Sequence, residues 1–445
     1  MLTQDTRLSG CIFTHYSSLS KDLRLETEKA FSEAGTAICV ATSTLELGID
    51  IGDVDAVVLW GVPSGTESFM QRIGRGSRRL NKTNVVCYVP DCSSCRVADL
   101  LRFLALIHAG REGLLPVREP YRLYGAAGQQ CLSAIASNNG RFTRVADLAG
   151  LMGHLPHLDR SRLELILAEL AAQGYVQHHG FKNRYGGAEG LYRLVDHRMI
   201  YGNFGLGSQD VEIRHGSKAL GSVPSINLLR VAPGDVVRFA GRRWIVRRSD
   251  LEGITVEPSK KAGTAVDFIY PGKGLGFDSS LTELMWKIIH EPDLPKGVLP
   301  ASVREMLSLP VSEIRSLGKR AIPFAPCPLG VCYLTFAGYL VNKALALITS
   351  QSEYEATDLS LIVPVSIEWG SIPTGPPEYQ PVFPQLFEAS SEQSIYQTFL
   401  PVDLQREEFL QEWLKDETIP RVLTRLSNGT PREIPAEVMA VFTEQ

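Results

Sequence analysis

Several things are scarce or missing in this sequence, and each absence excludes something. Eight cysteines in 445 residues are too few for a disulfide scaffold. No uninterrupted apolar run reaches the ~18 residues that a membrane-spanning helix needs. The first twenty residues, MLTQDTRLSGCIFTHYSSLS, lack the basic, apolar, small-residue progression of a secretory signal, so a cytoplasmic chain without membrane contact is expected. Net charge is small: 45 Lys+Arg against 49 Asp+Glu leaves −4. The phosphate-cradling pattern G-x-x-x-x-G-K-[ST] is also missing. Gly272-Lys273-Gly274 and Gly318-Lys319-Arg320 lack its Ser or Thr and its preceding strand. Asp416-Glu417 ends an amphipathic run, EEFLQEWLKDE, and reads as helix surface rather than as a magnesium-holding strand end.

A 44% apolar share is that of a globular protein, and at about 100–200 residues per domain the length suits two to four domains. The small net charge hides an asymmetry. From Gln351 to Gln445 there are 5 Lys+Arg and 16 Asp+Glu, so this tail carries −11 and the preceding 350 residues carry +7. Patches rather than totals attract polyanions, and a mildly basic body with an acidic tail suits nucleic-acid binding.

The first hundred residues alternate short apolar runs with helical patterns. Cys11–Thr14, Ala37–Ala41, Ala56–Trp60 and Val85–Val89 read as strands; Lys21–Ala34, capped by Ser20, and Cys95–His108 read as helices. Continuous apolar strands separated by helices predict a parallel sheet covered on both faces. Polar residues gather where those strands end, as binding sites do in open α/β sheets. After Ala41 comes Thr42-Ser43-Thr44-Leu45-Glu46-Leu47-Gly48-Ile49-Asp50-Ile51. After the third strand comes Gln71-Arg72-Ile73-Gly74-Arg75-Gly76-Ser77-Arg78-Arg79. Four arginines within eight residues cannot line a core, and guanidinium forks suit phosphate oxygens.

These stretches, with His15-Tyr16-Ser17-Ser18-Leu19-Ser20, resemble the motifs of superfamily 2 helicases of the DEAD/DEAH-box-like group, in their second RecA-like domain. ATSTLELGIDIGDVD resembles motif V, with wording close to the Lhr-type (large helicase-related) branch, and QRIGRGSRR resembles motif VI. Ser77 stands where that family usually has glycine. The resemblance implies roles. Ser17 and Thr42 would bond nucleic-acid phosphates; Gly48 and Asp50 would sit at the nucleotide cleft, Asp50 near the ribose. Gln71 would couple the γ-phosphate to the partner domain, and Arg75 and Arg78 would be arginine fingers, worth ~10³–10⁵ in rate. It also implies that the first RecA-like domain, and the first strand and helix of the second, lie outside this sequence. ATP and Mg²⁺ would then be used only with a complementary first RecA-like domain.

After a Pro- and Gly-containing connector, Cys131–Ser137, Arg144–Met152 and Asp159–Gln173 read as three helices. Gly174-Tyr175-Val176 and Leu191–Val195 read as two strands flanking a polar loop. Three helices and a two-stranded wing form a winged-helix pattern, with Lys182 and Arg184 on the wing facing phosphates. From Arg198 to Asp278 the texture is β-rich. In DVVRFAGRRWIVRR, Arg242 and Arg243 are expected to face nucleic acid while Trp244 faces the core. The segment TFAGYLVNKALAL resembles part of the last domain of the Lhr-type core. Cys92/Cys95 and Cys327/Cys332 have chelating spacings but no further ligands beside them, so no metal site is expected.

The expected fold is multi-domain α/β. A partial RecA-like parallel sheet (1–112) precedes a winged helix (128–197), a small barrel-like β domain (198–278) and an α+β C-terminal domain with an acidic tail (279–445). The expected function is the C-terminal part of an ATP-dependent 3′→5′ DNA helicase of the kind used in DNA repair, inactive alone. The expected partners are single-stranded or tailed duplex DNA, with RNA–DNA hybrid as a further candidate, and a polypeptide carrying the first RecA-like domain. The alternative is a fragment that binds nucleic acid or protein without motor activity.

Overall fold

The computed structural model describes residues 11–15, 21–41, 54–76, 84–90, 96–114, 123–155, 157–180, 183–197, 199–201, 210–224, 227–239, 242–250, 253–259, 265–268, 279–291, 299–375, 380–388, 396–413 and 418–443. The fold is mixed α/β with several separate sheets. The chain divides into two compact units. One comprises 1–117, 276–374 and 421–445, and the other 118–275 and 375–420. Residues from 279 onward contribute to both units.

In the first unit, β1 (Ile12–His15) pairs in parallel with β2 (Ile38–Ala41), and α1 (Lys21–Glu33) connects them. Phe31 of α1 meets Phe13 of β1 edge-on at 5.8 Å, which fixes that helix on one face of the pair. His15 is buried at the end of β1 and lies 2.9 Å from Glu28 of α1. A second parallel pair joins β3 (Ala56–Trp60) to β4 (Asn84–Tyr88), linked through α2 (Thr66–Ile73). Val57, Leu59, Val85 and Cys87 point to one face and pack on a core shared with α3 (Arg96–Glu112).

The second unit begins with α4 (Tyr124–Ala136), the short strand β5 (Thr143–Arg144), α5 (Val145–Met152) and α6 (Arg160–Ala172). Asp159 caps α6: its carboxylate accepts from the Arg162 backbone N–H at 2.8 Å. Next come β6 (Val176–His179) and β7 (Arg184–Gly187), which with β5 make a three-stranded antiparallel sheet in the order β5-β7-β6. Two expectations are corrected here. Leu191–Val195 is not a strand but the centre of α7 (Glu189–Asp196), in which Leu191 and Leu194, three apart, are both buried. Arg184–Gly187, expected as loop, is the second hairpin strand. Its glycines serve close packing rather than turning. A Cβ at Gly186 would lie 3.1 Å from the Phe142 ring, and one at Gly187 would lie 2.9 Å from the Tyr192 hydroxyl.

Leu163, Ile166, Leu167 and Leu170 of α6 and Leu132 and Ile135 of α4 form the core of this helical cluster. Part of the acidic tail completes it. Tyr396, Phe399, Leu400 and Leu404 are buried there, and Glu408 accepts a hydrogen bond from the Gly125 N–H at 2.8 Å, in the first turn of α4. The β-rich stretch of the same unit is one six-stranded sheet of β8 (Asp210–His215), β9 (Lys218–Pro224), β10 (Val236–Phe239), β11 (Arg242–Asp250), β12 (Gly253–Pro258) and β13 (Val266–Asp267). Its strand order is β13-β10-β11-β12-β8-β9. The inward side chains Ile213, Val237, Trp244, Val246, Ile254 and Val256 make its core, and α8 (Asn227–Arg230) contributes Leu228.

The first unit is completed by α9 (Ser279–Ile289), α10 (Ala301–Ser316) and a five-stranded sheet. Its strands are β14 (Ala321–Cys327), β15 (Gly330–Leu334), β16 (Glu355–Ala356), β17 (Ser360–Val363) and β18 (Thr430–Glu433), ordered β16-β17-β15-β14-β18. The TFAGYLVNKALAL segment spans a tight turn and α11 (Tyr339–Ile348). Gly338 sits at φ +86, and a Cβ there would lie 3.0 Å from the Ser279 Cα, so glycine is required on both counts. Asn342 is buried and fully used: it accepts from the Thr335 hydroxyl at 2.6 Å and donates to the carbonyls of Thr357 (2.8 Å) and Ser360 (3.2 Å). The glycine and the asparagine of this segment thus hold a turn and a sheet edge together.

Candidate functional site

The candidate cleft residues follow directly from how β3 hands the chain to α2. β3 ends at Trp60, and Gly61 donates its N–H to the Tyr88 carbonyl at 2.9 Å, fastening the strand end to β4. Phe69 anchors α2 by its buried ring, while Met70 and Ile73 pack against the same core. Gln71, on the other side of the helix, is exposed. The helix then closes in three steps: Gly74 N–H to Met70 O (2.9 Å), Arg75 N–H to Arg72 O (3.4 Å) and Gly76 N–H to Ile73 O (3.0 Å). The Arg75 carbonyl accepts from the Val54 N–H at 3.4 Å, and Gly76 is buried beside that bridge.

The consequence is a half-buried Arg75 whose backbone is fixed at both ends, one turn beyond Gln71. Gln71 lies in the last turn of α2 and Arg75 just past its C-cap, Gly74. Arg72 is half-buried beside them. The remaining cleft and strand-contact candidates, Ser17, Thr42, Gly48, Asp50 and Arg78, lie outside the described residues, as do Ser77 and Arg79.

In the second unit, Lys182 lies outside the described residues, and Arg184 is a half-buried strand residue in register with His179 and Arg144 rather than a loop-tip cation. Its Nε is buried without a hydrogen-bond partner. The neighbouring helix surface is mixed in charge. Arg160 pairs with Glu164 (3.0 Å) and Arg162 with Asp159 (2.8 Å), while Glu169 is half-buried and accepts from Gln173 Nε2 at 2.8 Å. Hydrogen bonds from the Arg162 backbone N–H and the Ser161 hydroxyl hold the Asp159 carboxyl below its ordinary range.

The arginine-rich hairpin β10–β11 presents Arg242 exposed and Arg243 half-buried. Trp244 is buried as expected, its indole N–H donating to the Phe239 carbonyl at 3.0 Å. Sequence reasoning passed over Arg238, which is exposed and stands directly opposite Arg243 in the strand register. The signal was available: only Ala240 and Gly241 stand between Phe239 and Arg242, and so short a connection fixes which residues face each other. Arg247 is paired with Glu257 at 2.7 Å.

Among the described residues no group of three or more His, Cys, Asp or Glu side chains could hold a metal ion. Cys332 is buried with its Sγ 3.6 Å from the Met439 sulfur, and burial pushes its thiol up to about 12. Cys92 and Cys95 lie outside the described residues. No described helix is long and apolar enough to cross a membrane.

Comparison with known proteins places these residues in context. Residues 3–79 match the helicase conserved C-terminal domain. The ATP-dependent helicase Lhr-Core of Methanocaldococcus jannaschii is 40% identical over 77 residues, 17% of this chain and 9% of that protein. Its counterpart in Methanothermobacter thermautotrophicus is 26% identical over 268 residues, covering 57% of this chain and 30% of the relative. The Lhr helicase/uracil glycosylase of Escherichia coli is 25% identical over 299 residues, covering 62% and 19%. Each match therefore spans less than a third of the relative's own length. Among solved structures, the Mycobacterium smegmatis helicase Lhr bound to ssDNA and AMP-PNP aligns over 97% of this chain and 62% of that one, with a TM-score of 0.61 at 16% identity. In its N-terminal motifs and in its fold, the chain is thus similar to the C-terminal portion of Lhr-type superfamily 2 helicases.

Proposed function

We propose that this chain supplies the C-terminal part of an ATP-dependent 3′→5′ DNA helicase of the Lhr type: half of a nucleotide cleft, with accessory domains that guide a single strand. One observation carries the reading. The turn that ends α2 fixes the Arg75 backbone by two hydrogen bonds, four residues after Gln71, within a stretch that matches the helicase C-terminal domain. A guanidinium fixed in that way suits the phosphate oxygens of a nucleotide bound by a second domain. Arg75 would act as an arginine finger and Gln71 would sense the γ-phosphate; Arg78, Gly48 and Asp50 would complete this side of the cleft. ATP supplies the phosphoryl group and the driving force when bound, and no described residue is assigned to Mg²⁺. Ser17 and Thr42 would bond the tracked strand.

In the second unit, helices α4, α5 and α6 with the sheet β5-β7-β6 suit a winged helix, and the six-stranded sheet suits a small barrel-like domain. Lys182 and Arg184, and Arg242, Arg243 and Arg238, are proposed to meet phosphates. Such contacts fix register and orientation on the strand without reading sequence. The division into 1–112, 128–197, 198–278 and 279–445 is kept as a proposal at this level, below the two compact units.

The test is reconstitution. The chain is mixed with a polypeptide bearing the phosphate loop and acidic strand, and ATP hydrolysis is followed with and without single-stranded DNA. DNA-stimulated turnover that collapses with Arg75→Ala, while DNA binding persists, is expected. Unchanged turnover in that variant rejects the finger. A second reading, a nucleic-acid- or protein-binding fragment without motor activity, is favoured by the absence of G-x-x-x-x-G-K-[ST] from the sequence. DNA binding with no turnover under any complementation would establish it.

A further inference from the structure

In the second unit, the helical cluster gives way to the six-stranded sheet between α7 and β8. Junctions of this kind usually run through exposed linkers crossed by few contacts. This one is gripped. After α7 the chain forms a short 3₁₀ turn, Met199–Tyr201. Two of its carbonyls are taken by side chains far away in the sequence. Tyr396 donates its hydroxyl to the Met199 carbonyl at 2.8 Å, and Gln129 of α4 donates Nε2 to the Ile200 carbonyl at 2.7 Å. Ile200, Gln129 and Tyr396 are all buried. Burial raises the Tyr396 phenol above its ordinary range, so the hydroxyl keeps the proton that it donates.

A second grip lies beside the first. Arg193 of α7 is half-buried, and its Nη2 donates to the Leu228 carbonyl at 3.0 Å and to the Val231 carbonyl at 3.3 Å. Those oxygens close α8, where the last carbonyls have no partner within the helix and a cation suits them. Leu228 and Val231 belong to the core of the sheet, whereas Leu191 and Leu194, flanking Arg193 on α7, belong to the core of the cluster. Arg193 thus reaches from one core to the other. It is also linked to the segment that bears Tyr396. Phe399 lies 4.4 Å from the Tyr175 ring, and burial pushes the Tyr175 phenol up to about 12 against the nearby Arg193 charge.

We propose that the segment Tyr396–Leu404 is a strap and Arg193 a latch, which together lock the helical cluster and the six-stranded sheet into one rigid body. The strap is seated by Tyr396, Phe399, Leu400 and Leu404, all buried in the core of the cluster. Seated, it holds the turn Met199–Tyr201, which fixes the end of α7, and Arg193 on α7 then holds α8. Lifted, it leaves an ordinary linker across which the two halves move independently. The state of the strap is thereby coupled to the position of α8, although the hydroxyl of Tyr396 bonds only the turn. The inference needs neither ATP nor a partner chain, and it stands apart from the nucleotide cleft.

The test is amide hydrogen exchange of the full chain, read by mass spectrometry, in the parent and in Tyr396→Phe, Arg193→Met and Arg193→Lys. Tyr396→Phe keeps the ring and removes the donor; Arg193→Met keeps the aliphatic stem and removes the guanidinium. Two stretches report. One is Met199–Tyr201, and the other is 227–232, where the Val231 amide bonds the Asn227 carbonyl at 3.1 Å. Each of the first two variants should speed exchange about fivefold or more in both stretches, with α6 and β12 unchanged. Arg193→Lys, which keeps a cation by the α8 carbonyls, should recover most of the protection. Three results would overturn the proposal. Loosening of Met199–Tyr201 alone in Tyr396→Phe makes the strap a local contact. Parent-like exchange in both stretches removes strap and latch together. Loosening that extends through α6 in Tyr396→Phe makes Tyr396 a core residue of the cluster and nothing more, and an Arg193→Met variant that frees 227–232 without Met199–Tyr201 then removes the coupling as well.

Discussion

The two parallel strand pairs at the start of the chain and the helical cluster around α4 and α6 handle burial in opposite ways. In the cluster, α6 buries Leu163, Ile166, Leu167 and Leu170, and distant Tyr396, Phe399 and Leu400 close the remaining side. Its core is closed by segments of the same unit. β3 and β4 are satisfied on one face and bare on the other. Among the described residues, the region that matches the helicase C-terminal domain is the one with an exposed apolar sheet face. A self-sufficient region can be stable alone, whereas a half-covered sheet gains stability from whatever binds it, in proportion to that partner's concentration over its dissociation constant.

Experiments that sharpen this contrast can be ranked by size. The largest effect belongs to the cleft: in the reconstituted pair, Arg75→Ala should reduce ATP turnover by ~10³-fold or more, with melting temperature and DNA affinity unchanged. Next is the self-sufficient core. Leu167→Ala, at a fully buried position of α6, should cost about 2–5 kcal/mol in denaturant unfolding, while Val58→Ala on the bare face should stay within about 0.5 kcal/mol. Equal costs at the two positions would erase the distinction between covered and open surface. Asn342→Ala should fall between them, at about 1–3 kcal/mol, because it removes buried hydrogen bonds to the Thr335 hydroxyl and to the Thr357 and Ser360 carbonyls.

The smallest effect is a pH dependence in the first unit. His290 bonds through Nδ1 to the Trp286 carbonyl at 2.9 Å. Burial, helped by the charges of Lys319 and Arg315, lowers its proton affinity against the hydrogen bonds that raise it. The folded state thus prefers neutral His290, whose contribution is complete above the unfolded value of about 6.5 and is lost as pH falls towards the depressed folded value. Melting temperatures from pH 8 to 5 should decline at the acid end, and His290→Gln should flatten that decline.

Local periodicity made much of this legible before any coordinates. The apolar runs of β2, β3 and β4 and the caps and spacing of α6 are strong local signals. They place Gln71 and Arg75 at the end of a strand–helix unit, where the structure has them. Misreadings arose where a short segment fits two periods. LYRLV satisfies a strand by its composition, yet Leu191 and Leu194 are one helical turn apart and both are buried. Gly186 and Gly187 look like turn residues, but their lack of a side chain admits the rings of Phe142 and Tyr192. Contacts across long sequence separations carry no local signal at all. No local pattern in the acidic tail announces that Glu408 reaches back to the Gly125 N–H and Tyr396 to the Met199 carbonyl, each at 2.8 Å. The facing of Arg238 and Arg243 needed the hairpin register, which a two-residue turn encodes but periodicity does not.

The central proposal is that Gln71 and Arg75 line one side of a nucleotide cleft, in a sequence without the pattern G-x-x-x-x-G-K-[ST]. The measurement that meets it most directly is ATP hydrolysis by the purified chain alone, at saturating single-stranded DNA. The account predicts turnover indistinguishable from that of Arg75→Ala and from buffer. DNA-stimulated hydrolysis by the isolated chain, abolished by Arg75→Ala, would contradict it.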